Sequence, residues 1–519
     1  MLSGMSTAIV CGDMESVPAV HEAELEQRLE ALESARSWSP RVVSRLESRI
    51  RSGDDLSLFR INPKAYASET SMSAPEAVDL FLHAAHVGLF RMEWNLVCAS
   101  CGNTAQSFRG LAKVDPHFVC ELCQMVNDPS LDEYIQVNFT IAPAVRAISY
   151  HAPEDLSAED RFYNFHMSRD VRPDSGTENS LRALRASTHH LAYLPAGETA
   201  TIDFDFTGAA VAIRDSFHAA SVIYFEDPEK PEPVGEPTAV RLAMRDGQLS
   251  DRDRTLEPFE FMLTKRAVMR LLFPGVSAIP SGPVSIAVEN AMDERALIWV
   301  VERLEIPTVF DPIEFEPILS AKEALSTQTF RTLFRSETVA ASESLAIRDL
   351  TFLFTDLRDS TAMYERIGDA SAYNLVRLHF DALEVVIREH GGAIVKTIGD
   401  AIMATFVEPA AGVRAAMQMS DRLREFNRSS SADLSLKMGL HRGHAIAVTS
   451  NESVDYFGQT VNIAARIQAM AGASELCLSE DIYRGAGVAG LFDGASIEPE
   501  AGIMKGVTDE IALYRVALD

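Results

Sequence analysis

Two carboxylates at the ends of neighbouring strands constrain this chain more than any other feature. The run Leu350-Thr351-Phe352-Leu353-Phe354-Thr355-Asp356-Leu357 is apolar, with β-branched and aromatic residues, and predicts a buried strand ending on Asp356. Arg358-Asp359-Ser360-Thr361 then offers backbone N–H groups and two hydroxyls where a helix opens. Such a loop can hold a metal together with phosphates. Taken alone, a strand-end aspartate is more often a turn or cap residue. A second carboxylate changes the weight of the first. Ala393 to Phe406 reads as two short strands around Gly399-Asp400. Two carboxylates on adjacent strand ends can hold a pair of Mg²⁺ or Mn²⁺ ions roughly 4 Å apart, an arrangement suited to in-line displacement at phosphorus.

The chain has 519 residues, a length that predicts several domains. Its 47% hydrophobic and 24% charged residues are ordinary for a globular protein. No apolar run reaches the length of a membrane span, and Met1 to Met14 lacks the basic start and apolar core of a signal peptide. The expectation is a cytoplasmic protein without a membrane span. A net charge of −28 disfavours nucleic acid and anionic membranes as partners.

Residues 1–22 read as a loose tail. From 23 to 95 the pattern is helical, with Leu25, Leu29, Leu32, Val42, Val43, Leu46 and Ile50 at spacings of three and four. Ser73-Ala74-Pro75-Glu76 reads as a capping box opening a further helix, followed by a strand over Leu89 to Trp94. This order predicts a winged-helix-like unit, used for protein contact or packing rather than for DNA.

Between 96 and 133 stand Cys98-Ala99-Ser100-Cys101 and Cys120-Glu121-Leu122-Cys123, separated by eighteen residues. Four thiolates at this spacing predict a closed tetrahedral Zn²⁺ site of ribbon type, structural in role; redox sensing is the alternative. Residues 134–325 alternate apolar and polar positions and predict a β-rich regulatory domain, an antiparallel sandwich or barrel. Within it, 150–185 and 226–258 read as long loops. His151, His166, His189 and His190 have no fixed spacing and read as solvated or hydrogen-bonded rather than as metal ligands. A connector covers 326–345.

Residues 346–519 resemble a class III nucleotidyl cyclase catalytic domain. The resemblance rests on Phe354-Thr355-Asp356, on Lys396-Thr397-Ile398-Gly399-Asp400, and on Asp455-Tyr456-Phe457-Gly458-Gln459-Thr460-Val461-Asn462-Ile463-Ala464-Ala465-Arg466. It implies a ferredoxin-like α+β fold at the end of a multidomain α+β chain. It further implies cyclisation of ATP to 3′,5′-cyclic AMP, with Asp356 and Asp400 as ligands of two Mg²⁺ or Mn²⁺ ions. Lys396 and Asp455 match the pair that reads the purine, donor and acceptor complementing adenine. Asn462 and Arg466 match the transition-state pair. Lys505 matches a phosphate-binding lysine, and Thr355, Ser360 and Thr361 complete the expected substrate contacts.

Two positions depart from the family pattern. Asp359 stands where glycine is frequent, and Arg442 where a small residue is frequent. In the family, each site forms between two catalytic domains. This chain holds one such domain with both residue sets, which implies a homodimer. The whole layout is similar to that of soluble bacterial adenylate cyclases with N-terminal regulatory regions, and an unidentified regulatory ligand or protein is expected there. The alternatives are a guanylate cyclase and a non-catalytic cyclase-like dimerisation domain in a transcription regulator.

Overall fold

The computed structural model describes residues 20–39, 41–99, 101–111, 118–120, 122, 125–127, 134–172, 181–263, 269–303, 314–335, 345–430, 433–450, 453–492, 497, 499–502 and 511–518. Cys123 and Lys505 lie outside them, as do nearly all of the tail and residues 336–344 of the connector. The architecture is multidomain α+β. Among the described residues no helix is long and apolar enough to cross a membrane.

Four helices open the chain: α1 (Glu22–Ala35), α2 (Val42–Ser52), α3 (Pro63–Thr70) and α4 (Ala74–His86). Their predicted apolar stripes are buried, Leu25, Leu32, Leu46 and Ile50 completely. Asn62 caps α3 by accepting from the Lys64 amide, with Pro63 as the first helical residue. Ser73 caps α4 by accepting from the Glu76 amide at 3.3 Å. Only half of the predicted capping box forms, because the Glu76 carboxylate instead accepts from the Ser39 hydroxyl at 2.9 Å.

These helices cover a three-stranded antiparallel sheet with β1 (Phe90–Val97) in the middle, β2 (Thr104–Phe108) on one side and β3 (Ile135–Ile141) on the other. The strand at 135–141 therefore pairs with the helical unit, although its alternating pattern groups it with the β-rich region. Alternation fixes which face of a strand is buried but not which strand it pairs with.

The β-rich region is a sandwich. One sheet holds, in spatial order, Gln248–Asp251, Thr238–Arg245, Gly282–Asn290 and Thr199–Phe206. The other holds Glu257–Leu263, Met269–Ile279, Ala220–Glu226, Ala210–Asp215, Ala296–Arg303 and Thr188–Leu194. Ile202, Ile213, Tyr224, Val240, Ile286 and Ile298 share the core between them. Two findings differ from expectation. The pairs Thr238–Arg245 with Gly282–Asn290 and Ala220–Glu226 with Met269–Ile279 are parallel, so the sandwich is mixed. The segment 226–258, read as a loop, contains two strands: charged flanks hide the inward alternation of Val240, Leu242 and Met244.

Cys98, Cys101 and Cys120 are buried against the outer face of the larger sheet, beside Trp299, Leu297 and Ile223. Two of the four histidines make structural contacts. His189 pairs with Glu302 at 2.6 Å and stacks on Phe204, and His151 bonds the Ile141 carbonyl at 2.8 Å.

In the catalytic region, β4 (Leu345–Leu357) is central. The sheet runs β5 (Ala393–Ile398), β6 (Ala401–Phe406), β4, β7 (Leu436–Ser450), β9 (Glu475–Ser479), β11 (Ile511–Ala517), β10 (Glu500–Gly502), and β8 (Ser453–Phe457) pairs with β7. Helices α8 (Asp369–Glu389) and α9 (Pro409–Ser430) pack on one face through Leu383, Val386, Val413 and Met419. Gly368, at a φ of 78°, separates α8 from the short α7 (Ser360–Ile367). β7 is one long strand: Gly443 stays in the ladder and gives room to Thr460, whose hydroxyl oxygen would stand 2.8 Å from an added Cβ. The other face of the sheet receives α10 (Gln459–Ala469) and a pair of connecting helices, α5 (Ala321–Leu325) and α6 (Gln328–Leu333).

Candidate active site

The strand β4 delivers Asp356 at its end, and the β5–β6 hairpin delivers Asp400 at its tip. Gly399, at a φ of 65°, makes that tight turn possible. Burial and the neighbouring Asp400 charge hold the Asp356 carboxyl above the usual carboxylate range, while Lys437 and Gln468 pull it down. Lys437 faces Asp356 across the β4–β7 ladder. Oδ2 of Asp400 is buried and accepts no hydrogen bond. Two oxygen ligands pressed together, one with an orphaned buried atom, fit a hard divalent cation. Mg²⁺ or Mn²⁺ is therefore compatible with this donor set.

The strands β5 and β8 bring together two residues 59 positions apart. Lys396 Nζ donates to Asp455 Oδ2 at 2.6 Å. Asp455 keeps 9% of its side chain exposed and Lys396 keeps 39%, so the aspartate is the anchored partner. Its other oxygen accepts from the Tyr456 amide at 2.8 Å. The Lys396 ammonium also stands 5.6 Å from the centre of the Phe457 ring, which is half exposed.

Asn462 and Arg466 lie one turn apart on α10, Asn462 exposed and Arg466 half-buried. Among the described residues the Arg466 guanidinium has no hydrogen-bond or ion-pair partner. Helix α10 seats directly on β7 because residue 439 is glycine: an added Cβ would lie 2.3 Å from the Gln468 amide nitrogen.

The remaining expected contacts separate. Ser360 and Thr361 open α7 at the surface, as the sequence predicts. Thr355 is fully buried, and its hydroxyl accepts from the Ile402 amide at 3.3 Å, tying β4 to β6. Its side chain serves the sheet rather than the open end of the site. Asp359 adopts a left-handed backbone with φ 53°, the conformation that glycine adopts most easily and aspartate tolerates. Its carboxylate pairs with the Arg358 guanidinium at 3.0 Å, so the neighbouring arginine offsets the charge that this departure introduces. Arg442 stands in β7 opposite Thr351, its Nε 3.9 Å from Asp349. Sequence reasoning missed Lys437, Gln468 and Phe457 as neighbours of the site. Only the strand register and the seating of α10 place them there.

The Sγ atoms of Cys98, Cys101 and Cys120 all lie within 4.8 Å of one another, Cys101 and Cys120 at 3.5 Å. Backbone bonds hold them: the Cys98 amide donates to the Asn103 carbonyl at 2.8 Å and the Cys120 amide to the Met125 carbonyl at 2.7 Å. Three buried thiols converging in this way fit a soft or borderline metal such as Zn²⁺. No other group of three such ligands converges among the described residues.

Two family models match the chain. One, described as a family of unknown function, DUF5939, matches residues 22–332. The other, described as the adenylate and guanylate cyclase catalytic domain, matches residues 343–493. An adenylate cyclase of Anabaena cylindrica is 28% identical over 185 residues, covering 33% of this chain and 37% of that protein. An adenylate cyclase of Mycosarcoma maydis is 29% identical over 194 residues, covering 33% of this chain and 8% of that protein. The chain thus spans only a minor part of either relative. Among solved structures, the adenylyl cyclase CyaB from P. aeruginosa is similar at 21% identity and a TM-score of 0.30, over 33% of this chain and 95% of that one.

Proposed function

We propose that this chain, which belongs to the DUF5939 family of unknown function and carries a class III nucleotidyl cyclase catalytic domain at its C-terminal end, converts ATP to 3′,5′-cyclic AMP and pyrophosphate. The observation that carries the adenine preference is the Lys396–Asp455 pair at 2.6 Å. It presents a donor and an acceptor side by side. Adenine N1 accepts from the lysine, and the exocyclic amino group donates to the aspartate. Guanine presents the opposite pattern at those edges, and buried groups left unpaired discriminate strongly against it.

In the reaction the ribose 3′-oxygen bonds to the α-phosphorus as the bond to the leaving pyrophosphate breaks. Positioning and charge stabilisation supply most of the catalysis. Divalent ions held by Asp356 and Asp400 would neutralise phosphate charge and favour ionisation of the 3′-hydroxyl. Arg466 stabilises the charge that grows on the α-phosphate, and Asn462 orients the ribose. Ser360, Thr361 and Lys505 remain candidates for phosphate contact. The two residue sets act across the interface of a homodimer with two equivalent sites.

The N-terminal region regulates this activity. Its helical unit is read as winged-helix-like, and the cysteine module as a zinc ribbon whose fourth ligand is Cys123. Elemental analysis should find about one zinc per chain. Metal-replete protein without zinc and with every thiol reactive refutes the ribbon.

The decisive assay incubates the purified full chain with ATP or GTP and Mg²⁺ or Mn²⁺ and separates the products. Cyclic AMP from ATP is expected. Cyclic GMP as the main product, or no product from either nucleotide, overturns the reading.

A further inference from the structure

The helix α6 lies outside the matched catalytic domain, at the end of the DUF5939 match, yet it holds both strands that carry the base-reading pair. On β5, the Ile394 amide donates to the Gln328 side-chain carbonyl at 2.8 Å, two residues before Lys396. On β8, the Val454 carbonyl accepts from Arg331 Nη1 at 2.8 Å. The same guanidinium lies over the Tyr456 ring, 5.4 Å from its centre. Val454 and Tyr456 flank Asp455. Among the described residues β8 pairs with β7 alone, Val454 standing opposite Thr449, and the Arg331 bond to the Val454 carbonyl ties β8 to α6 as well.

The far side of α6 is fixed to the N-terminal region. The Thr329 hydroxyl donates to Asp79 of α4 at 2.5 Å. Phe330 meets Trp94 of β1 edge-on, with ring centres 5.8 Å apart. The contact with β8 is geometrically defined but only partly satisfied. Nε and Nη2 of Arg331 are buried together with the hydroxyls of Tyr456 and Ser326, close enough for Arg331 and Ser326 to act on the Tyr456 hydroxyl, yet none of these atoms makes a well-aligned hydrogen bond. A buried guanidinium with unmatched donors adds little net stability. It does restrict where the strand can sit.

We infer that Arg331 is a positioning residue for nucleotide selection: it braces β8 so that Asp455 meets Lys396 at the purine. This rests on the proposed adenylate cyclase reading. It adds that base recognition depends on a residue outside the catalytic domain, on a helix held by the N-terminal region.

The test compares full-length wild type, Arg331→Ala, Arg331→Lys and Arg335→Ala, measuring kcat and KM for ATP and GTP with Mn²⁺. Arg335 is exposed four residues on and serves as the control. In Arg331→Ala, KM for ATP should rise more than kcat falls, and the preference for ATP over GTP should shrink by about tenfold. Arg331→Lys keeps a donor and a cation over the ring and should recover part of both. Arg335→Ala should match wild type. A folded Arg331→Ala with wild-type KM and wild-type preference overturns the inference while leaving the cyclase reading intact. If circular dichroism shows Arg331→Ala unfolded, Arg331→Lys decides: a KM for ATP above wild type with a reduced preference for ATP supports the inference, and wild-type values overturn it. Wild type inactive on both nucleotides overturns the proposed function and this inference together.

Discussion

Under the proposed function, Asp400 is a residue poor for the fold and needed for the chemistry. Its buried, unbonded oxygen beside Asp356 contributes nothing to stability without a cation. Asp400→Ala should therefore lower cyclic AMP formation at least about a hundredfold, with the thermal midpoint unchanged or raised. Substantial retained activity removes the two-metal assignment. His166 illustrates a purely structural residue with a pH signature. Burial first, then the Arg161 and Arg60 cations, push its pKa down to about 4, and its Nε2 has no partner. The unfolded chain takes up this proton near the ordinary histidine value of about 6.5. Stability is therefore complete above that pH and lost as pH falls from about 6.5 toward 4, by up to about 3 kcal/mol. His166→Phe preserves the stack on Phe162 and removes the titration. Its unfolding midpoint should drop less between pH 7 and pH 5 than that of wild type, as calorimetry at the two pH values would show.

Among the elements, α10 is the one whose placement matters most, since it carries Asn462 and Arg466 and lays Gln468 against Asp356. Its seat depends on Gly439. Gly439→Ala drives a methyl group into the Gln468 backbone, so helix or strand must shift, at a cost of about 1–3 kcal/mol. The expected outcome is a lower thermal midpoint together with reduced cyclisation. Gly490→Ala, where no atom lies within 4 Å of the added carbon, is the comparison and should be near neutral. Equal behaviour of the two variants contradicts the tight seat. The sequence makes α10 legible as a helix through Ile463, Ala464 and Ile467, all buried. It does not reveal the approach to Gly439, which lies on another strand.

For the whole molecule, the proposed homodimer makes a prediction that a self-contained site does not. Asp356→Ala and Arg466→Ala homodimers each carry a defect in both sites and should be nearly inactive. Mixed and allowed to exchange, random pairing makes about half of the dimers heterodimers. Each then has one doubly defective site and one intact site, so activity recovers to roughly a quarter of wild type. Differently tagged chains confirm the exchange, and cyclic AMP is the readout. Confirmed heterodimers without activity would place Asp356 and Arg466 in the same chain's site.

The sequence alone determined those features whose cause is local. The apolar run ending on Asp356, the Gly399-Asp400 turn and the helical stripes of α1 and α2 are set by propensity and period, and each is read over a short local stretch. The family motifs pointed to Lys396, Asp455, Asn462 and Arg466, whose roles belong to the proposed function. Tertiary structure decided what depends on partners distant in the chain. It paired Ile135–Ile141 with β1, made two sandwich pairs parallel, kept β7 whole through Gly443, turned Thr355 inward, and set α6 across the strands of Lys396 and Asp455. The reason is physical: periodicity specifies which face of an element is buried, whereas the identity of the neighbour depends on hydrogen bonds and packing that close over long stretches of chain.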